Sequence, residues 1–232
     1  MEKLLIKISG EIFSDKKTLE NVVDQIKKII STNKVGIVLG GGNFFRGAKD
    51  NNSFNLKPES AHNIGMLSTI VNGIIFKDLL SKAGIESTLL SAFPCQKVSK
   101  SITESEIEDA FSKKQSSSGL NPCVIFVGGT GNPFFTTDTN AVLRAIQIEA
   151  KEIWKATKVD GVFDSDPLTN KNAKFYKTIS YQEVLEKRLE VTDPTAITLA
   201  QENSLPIRVF NFFQPDALQK ALENPDFGST IR

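Results

Sequence analysis

Cys123-Val124-Ile125-Phe126-Val127-Gly128-Gly129-Thr130-Gly131-Asn132-Pro133-Phe134-Phe135-Thr136-Thr137-Asp138-Thr139 passes from a continuous apolar run, through a glycine-rich turn, into helical patterning. Five successive apolar residues suit a strand buried on both faces, as in parallel sheets. Unpaired N–H groups at the start of the following helix attract anions, and glycines let the backbone come close to them. The stretch therefore predicts an α/β unit with a phosphate-binding turn. Phe134 and Phe135 within so polar a loop ask for a flat, partly apolar ligand as well.

Outward from this unit, the same alternation fills the chain. Short apolar runs predict strands over 3–8, 36–39, 86–90, 123–127, 152–156 and 207–210. Amphipathic runs predict helices over 18–30, 64–82, 105–111, 140–149, 181–187, 195–201 and 216–222, with Thr103 and Glu106 as a capping box before the third. Strands alternating with helices give a three-layer αβα sandwich around a central, mainly parallel sheet. The segments 116–119 and 49–60 read as loops, and neither is long enough to divide the chain. Residues 1–232 are expected to form one domain, since 232 residues that are 40% hydrophobic can bury a sizeable core.

Composition narrows the partners. A net charge of +1 gives no overall pull toward nucleic acid or an anionic membrane, so anions must be held locally. No apolar run approaches the ~20 residues that span a bilayer, and Met1-Glu2-Lys3 leads straight into a strand, which predicts a cytoplasmic protein without a leader. Cys95 and Cys123 are expected as free thiols. With His62 the single histidine, a zinc site is not expected; a metal would be oxygen-bound.

Two more loops should lie with the first at the carboxyl ends of the strands. Lys7-Ile8-Ser9-Gly10 ends an apolar strand with a lysine, whose ammonium wants an anion or a carboxylate unless it snorkels from an edge strand. The loop 40–47 combines three glycines with Arg46, whose guanidinium fork suits phosphate, although a glycine run also serves as a plain turn. Neither G-x-x-x-x-G-K-[ST] nor an opening G-x-G-x-x-G occurs.

The ordered set K-I-S-G-E at 7–11, G-G-G-N-F-F-R-G at 40–47, G-M-L at 65–67, G-G-T-G-N-P-F-F-T-T-D at 128–138, A-T-K-V-D-G-V-F-D-S-D-P at 156–167 and D-P-T-A at 193–196 resembles bacterial uridylate kinases of the amino-acid kinase superfamily. The resemblance implies phosphoryl transfer from ATP to UMP, giving UDP in pyrimidine nucleotide biosynthesis, with Mg²⁺ accompanying ATP and no separate protein metal site. It implies Lys7 at the transferring group, Asp138 organising that lysine and, directly or through water, Mg²⁺, and Asp193 helping to orient the lysine. Each aspartate could equally cap its helix. ATP contacts are implied at Lys7, Ile8, Ser9, Gly10, Gly42, Arg46, Thr157, Phe163 and Asp166. UMP contacts are implied at Gly41, His62, Thr130, Gly131, Asn132, Pro133, Phe134, Phe135, Thr136 and Thr137, with one of the two phenylalanines facing the nucleotide. UMP would lie mainly within 1–150, and ATP within 151–232 plus the Lys7 loop.

Two positions depart from the family pattern. Phe163 stands where a tyrosine is common, and His62 where an aspartate usually meets the ribose. A neutral imidazole accepts one hydrogen bond and donates another but brings no fixed negative charge. The resemblance also implies a homohexamer, with 67–80 as a candidate subunit face, and GTP and UTP as candidate effectors. Other kinases of the superfamily, including isopentenyl phosphate kinases, are the nearest alternatives, but the polar, aromatic 130–137 loop suits a nucleotide better than an isoprenoid. A binding protein without turnover would have no need for Lys7, Asp138 and Asp193 together.

Overall fold

The computed structural model describes residues 1–45 and 55–232. Six strands form the parallel centre of the fold: β1 (Lys3–Ile8), β2 (Lys34–Leu39), β3 (Ser87–Ser91), β5 (Cys123–Val127), β6 (Glu152–Thr157) and β10 (Ile207–Asn211). With the short strands β4 (Lys100–Ser101), β9 (Thr178–Ile179) and β11 (Ser229–Ile231), they make a nine-stranded sheet in the order β4-β3-β5-β2-β1-β6-β10-β11-β9. Every pairing is parallel except β10 with β11. β7 (Val162–Phe163) and β8 (Phe175–Tyr176) form a separate antiparallel ribbon.

Helices cover both faces, as expected from strands apolar on both sides. On one face, α1 (Lys16–Ile29), α2 (Pro58–Lys82) and α7 (Ala217–Glu223) pack on Leu4, Ile6, Ile37, Trp154 and Phe210. On the other, α3 (Glu104–Ser112), α4 (Thr137–Gln147), α5 (Tyr181–Glu186) and α6 (Pro194–Glu202) pack on Leu5, Val38, Phe126, Ile153 and Val209. A fully buried side chain such as Phe76 or Phe126 contributes about 1.5–3 kcal/mol over its exposed state. β1 is central, with β2 on one side and β6 on the other. The chain thus changes winding direction at β1, which opens a crevice outside the carboxyl ends of the strands.

Several local expectations change. The structure extends the second helix pattern, 64–82, back to Pro58, which sits in the first turn where its missing N–H is harmless. The polar run 49–60 therefore ends sooner than expected, and its residues 49–54, like Arg46, lie outside the described residues. α2 is also long and apolar enough to cross a membrane, contrary to the sequence expectation. Its inner side nevertheless belongs to the core, where Ile70, Phe76 and Leu80 are buried. Thr103 caps α3 by accepting from the Glu106 N–H, but the Glu106 carboxylate pairs with Lys100 instead of closing the box. The reciprocal box forms at Ser180 and Glu183, at the start of α5.

Candidate active site

Close backbone approach brings the three glycine loops together. A Cβ on Gly10 would lie 2.8 Å from the Gly40 oxygen and 2.9 Å from the Gly42 nitrogen; one on Gly41 would lie 2.7 Å from the Gly65 oxygen. Contacts this short leave no space for side chains, so the loops after β1 and β2 and the backbone of α2 can meet. Asn72, wholly buried on α2, fastens them: its amide donates to the Gly40 carbonyl at 2.7 Å and to Asn43 Oδ1 at 2.8 Å. Thr69 holds the third loop, accepting the Gly128 N–H at 2.7 Å while its hydroxyl donates to the Met66 carbonyl.

Strand register aligns Lys7 of β1 with Lys155 of β6. Both face α4, where Asp138 lies between them. Lys7 Nζ is 2.8 Å from Asp138 Oδ1, and Lys155 Nζ binds Asp138 Oδ2. All three side chains are largely buried, 13%, 17% and 12% exposed for Lys7, Asp138 and Lys155. Burial alone would raise the Asp138 carboxyl, but the two ammonium groups outweigh it and hold the pKa well below the usual carboxylate range. Burial pushes the Lys155 ammonium down, and attraction to Asp138 offsets this only in part. Two cations around one carboxylate make this cluster positive in itself, with Asp193 as a further carboxylate that attracts Lys155. A transferring phosphoryl group would complete the balance.

The remaining expected residues divide among three cavities beside this cluster. A cavity of ≈ 390 Å³ is lined by Lys7, Ser9, Gly10, Gly41, Gly42, His62, Phe135, Thr136 and Thr137. Ser9, Gly10 and Gly42, expected on the ATP side, thus share a wall with candidate UMP contacts. A second cavity of ≈ 630 Å³, walled by Thr157, Phe163 and Asp166, lies beyond Lys155 and also takes Leu189 and Val191 from the loop after α5. Thr130 and Asn132 line a third, of ≈ 400 Å³, with Phe135. Phe135 faces the first and third cavities, whereas Phe134 lies against the His62 ring at 4.9 Å between centroids. Gly131 closes the turn by donating to the Gly128 carbonyl, and neither it nor Pro133 lines these cavities. Ile8 is fully buried in the core, which leaves only its backbone at the loop.

Asp193 caps α6, accepting from the Ala196 N–H at 3.0 Å. The same carboxylate accepts the Thr139 hydroxyl at 2.7 Å and the Thr136 hydroxyl at 2.5 Å. Thr136 in turn caps α4 through the Asp138 and Thr139 amides. Asp193 therefore joins two helix starts beside Asp138; among the described residues it makes no ion pair with Lys7. The cap of α4 is Thr136 and not Asp138, which frees the Asp138 side chain for the lysines. Lys155 is the chief residue missed from sequence, although Ile153-Trp154-Lys155-Ala156 carries the same signal as the Lys7 strand, a lysine inside an apolar run. Thr69 and Asn72 give no such signal, being ordinary polar residues of a long helix.

Residues 2–211 match the model of the amino acid kinase family. Uridylate kinase of Haemophilus influenzae (strain PittEE) is 41% identical, over 99% of this chain and 97% of the relative. The uridylate kinase of Psychromonas ingrahamii is 43% identical, over 99% and 92%. The crystal structure of UMP kinase from Ureaplasma parvum superposes with a TM-score of 0.91 at 36% identity, over 99% of this chain and 98% of the other; that from Bacillus anthracis gives 0.90 at 34%, over 100% and 96%.

Proposed function

The chain belongs to the amino acid kinase family, and on that premise we propose that it is a uridylate kinase, transferring the γ-phosphoryl of ATP to UMP to give UDP and ADP in pyrimidine nucleotide biosynthesis. The observation that carries this reading is the Lys7–Asp138–Lys155 cluster, with Lys7 in the wall of one cavity and a second cavity walled by Thr157, two residues along the strand from Lys155, and by Val209, the neighbour of Lys155 in register. UMP occupies the Lys7 side, against Gly41, His62, Phe135 and the 130–137 loop. The ATP base and ribose occupy the side of Thr157, Phe163 and Asp166, with the phosphates reaching Ser9, Gly10 and Gly42. The UMP part lies mainly in 1–150 and the ATP part in 151–232 plus the Lys7 loop, working as one domain.

The acceptor is already an ionised phosphate, so no strong base is needed. Catalysis reduces to alignment and to cations aimed at oxygens where charge develops. Lys7 and Lys155 supply those cations; Asp138 holds both ammonium groups in place, and Asp193 fixes the helix start that carries Asp138. The one buried carboxylate of the cluster has both oxygens committed to lysines, and no group of three or more His, Cys, Asp or Glu side chains among the described residues is placed to hold a metal. These residues suit a Mg²⁺ held chiefly by nucleotide phosphates. When bound, it neutralises charge on those oxygens.

Leu67, Val71, Ile74 and Ile75 form an exposed apolar stripe on α2, which supports a subunit contact within a cytoplasmic homohexamer. The deciding experiment is an acceptor screen with ATP and Mg²⁺ over nucleoside monophosphates and isopentenyl phosphate, with and without GTP or UTP. UMP should be the best acceptor by far; preference for another would overturn the reading.

The depressed Lys155 also predicts a pH dependence. Its proton leaves at a lower pH than that of an ordinary lysine, about 10.4, and takes positive charge from the site. Activity should therefore fall on the alkaline side before ordinary lysines titrate. Lys155→Arg, which stays charged, should move that limb upward in a pH–rate profile.

A further inference from the structure

Arg144 carries a buried positive charge that the transfer cluster does not use. It lies on α4, nearly two turns beyond Asp138, and is 4% exposed. Neutral oxygens take its donors: Nε donates to Asn140 Oδ1 at 3.0 Å, Nη1 to Gln147 Oε1 at 2.6 Å and Nη2 to the Gly129 carbonyl at 3.2 Å. No carboxylate forms an ion pair with it among the described residues, and burial alone pushes the guanidinium down to about 10. An unpaired buried charge is costly, and an apolar side chain would fill the space without that cost. The charge needs a use.

Its contact with Gly129 supplies one. Gly128 and Gly129 are both left-handed, at φ 76° and 58°. Their turn is held from two sides: by α2 through Thr69, which accepts the Gly128 N–H, and by α4 through Arg144, which donates to the Gly129 carbonyl. In a planar trans peptide, a carbonyl and the next N–H point in opposite directions. With the Gly129 carbonyl turned to Arg144, the Thr130 N–H points away from that guanidinium, and it has no hydrogen-bond partner among the described residues. This peptide lies at the seam of two cavities, since Gly129 lines the one with Lys7 and Thr130 the one beside it.

We propose that Arg144 is a positioning residue for the acceptor nucleotide: its charge-assisted hydrogen bond fixes and polarises the Gly129–Thr130 peptide, so that the Thr130 N–H is presented to an acceptor oxygen. The inference rests on the UMP reading of the 128–137 loop. A charged donor polarises the peptide more than a neutral one, which explains why a guanidinium occupies the position.

The test compares wild type, Arg144→Met and Arg144→Lys in steady-state kinetics, varying UMP and ATP separately, with thermal melting in the presence and absence of UMP. Wild-type turnover of UMP comes first; its failure would remove the UMP reading before any variant is measured. With wild type active, Arg144→Met should raise the KM for UMP about 10- to 100-fold while leaving the KM for ATP within about 2-fold. The UMP-induced rise in Tm should shrink in parallel. Arg144→Lys should lie between, keeping the charge but losing the fork. Folded variants with an unchanged KM for UMP, or with both KM values raised equally, would overturn the proposal. If the methionine variant does not fold, the lysine variant decides by the same UMP-against-ATP comparison.

Discussion

Lys7→Ala is expected to lower kcat by about 10³-fold or more while leaving the protein folded. Lys7 stands on a central strand in the wall of the ≈ 390 Å³ cavity, with its ammonium 2.8 Å from Asp138 Oδ1. Its position on β1 excludes the snorkelling of an edge-strand lysine. The charge it offers is useful chiefly when the phosphoryl group passes between nucleotides, so its loss should weigh more on kcat than on either KM. Folding should survive because Lys155 still pairs with Asp138, so no carboxylate is stranded. The check is a rate assay on a variant whose melting is close to wild type. A folded Lys7→Ala that retains even a tenth of the wild-type kcat would remove Lys7 from the transfer step.

That prediction depends on features of unequal legibility in the sequence. β1 and β5 match their expected bounds because apolar residues dominate both, without a break in β5 and with Lys3 and Lys7 the only exceptions in β1, the signature of a strand buried on both faces. The two-residue strands β4, β7, β8 and β9 gave no such signal: a ladder that short has no period to detect. Chemistry asked only for some carboxylate or anion beside Lys7 unless it snorkelled; Asp138 as that partner came from the family resemblance, and the structure brings the two together at 2.8 Å. Lys155 was missed because its partner could be known only from strand register, which sets it beside Lys7. Likewise, the Phe134–Phe135 pair asked for a flat ligand without saying which ring would face it; the structure, with a left-handed backbone at Phe134, φ 72°, sets the Phe134 ring against His62 and the Phe135 ring in the cavity wall.

Asp138→Asn should damage both stability and catalysis, and ligand and pH dependence can separate the two effects. Asparagine keeps the shape but removes the charge between two ammonium groups that are 13% and 12% exposed. Stranding buried charges in this way costs about 3–5 kcal/mol, and kcat should fall about 10²- to 10³-fold as the lysines lose their common anchor. ATP supplies the missing negative charge, so it should raise the Tm of the variant more than that of wild type. The sign of the acid effect follows from the depressed carboxyl pKa in the fold. In wild type, the Asp138 contribution is fully present above the unfolded value of about 3.9 and is lost as pH falls through the lower folded value. The variant lacks that contribution, so its stability should depend less on pH below about 4. On the alkaline side, Lys155 already sheds its proton more readily in the fold than in the unfolded chain, and without the attraction of Asp138 it should do so more readily still, so the variant should gain more stability than wild type as pH rises toward the unfolded lysine value of about 10.4. Denaturant unfolding across pH, with and without ATP, checks all three; parallel curves for the two proteins would mean that Asp138 does not hold the lysines by charge.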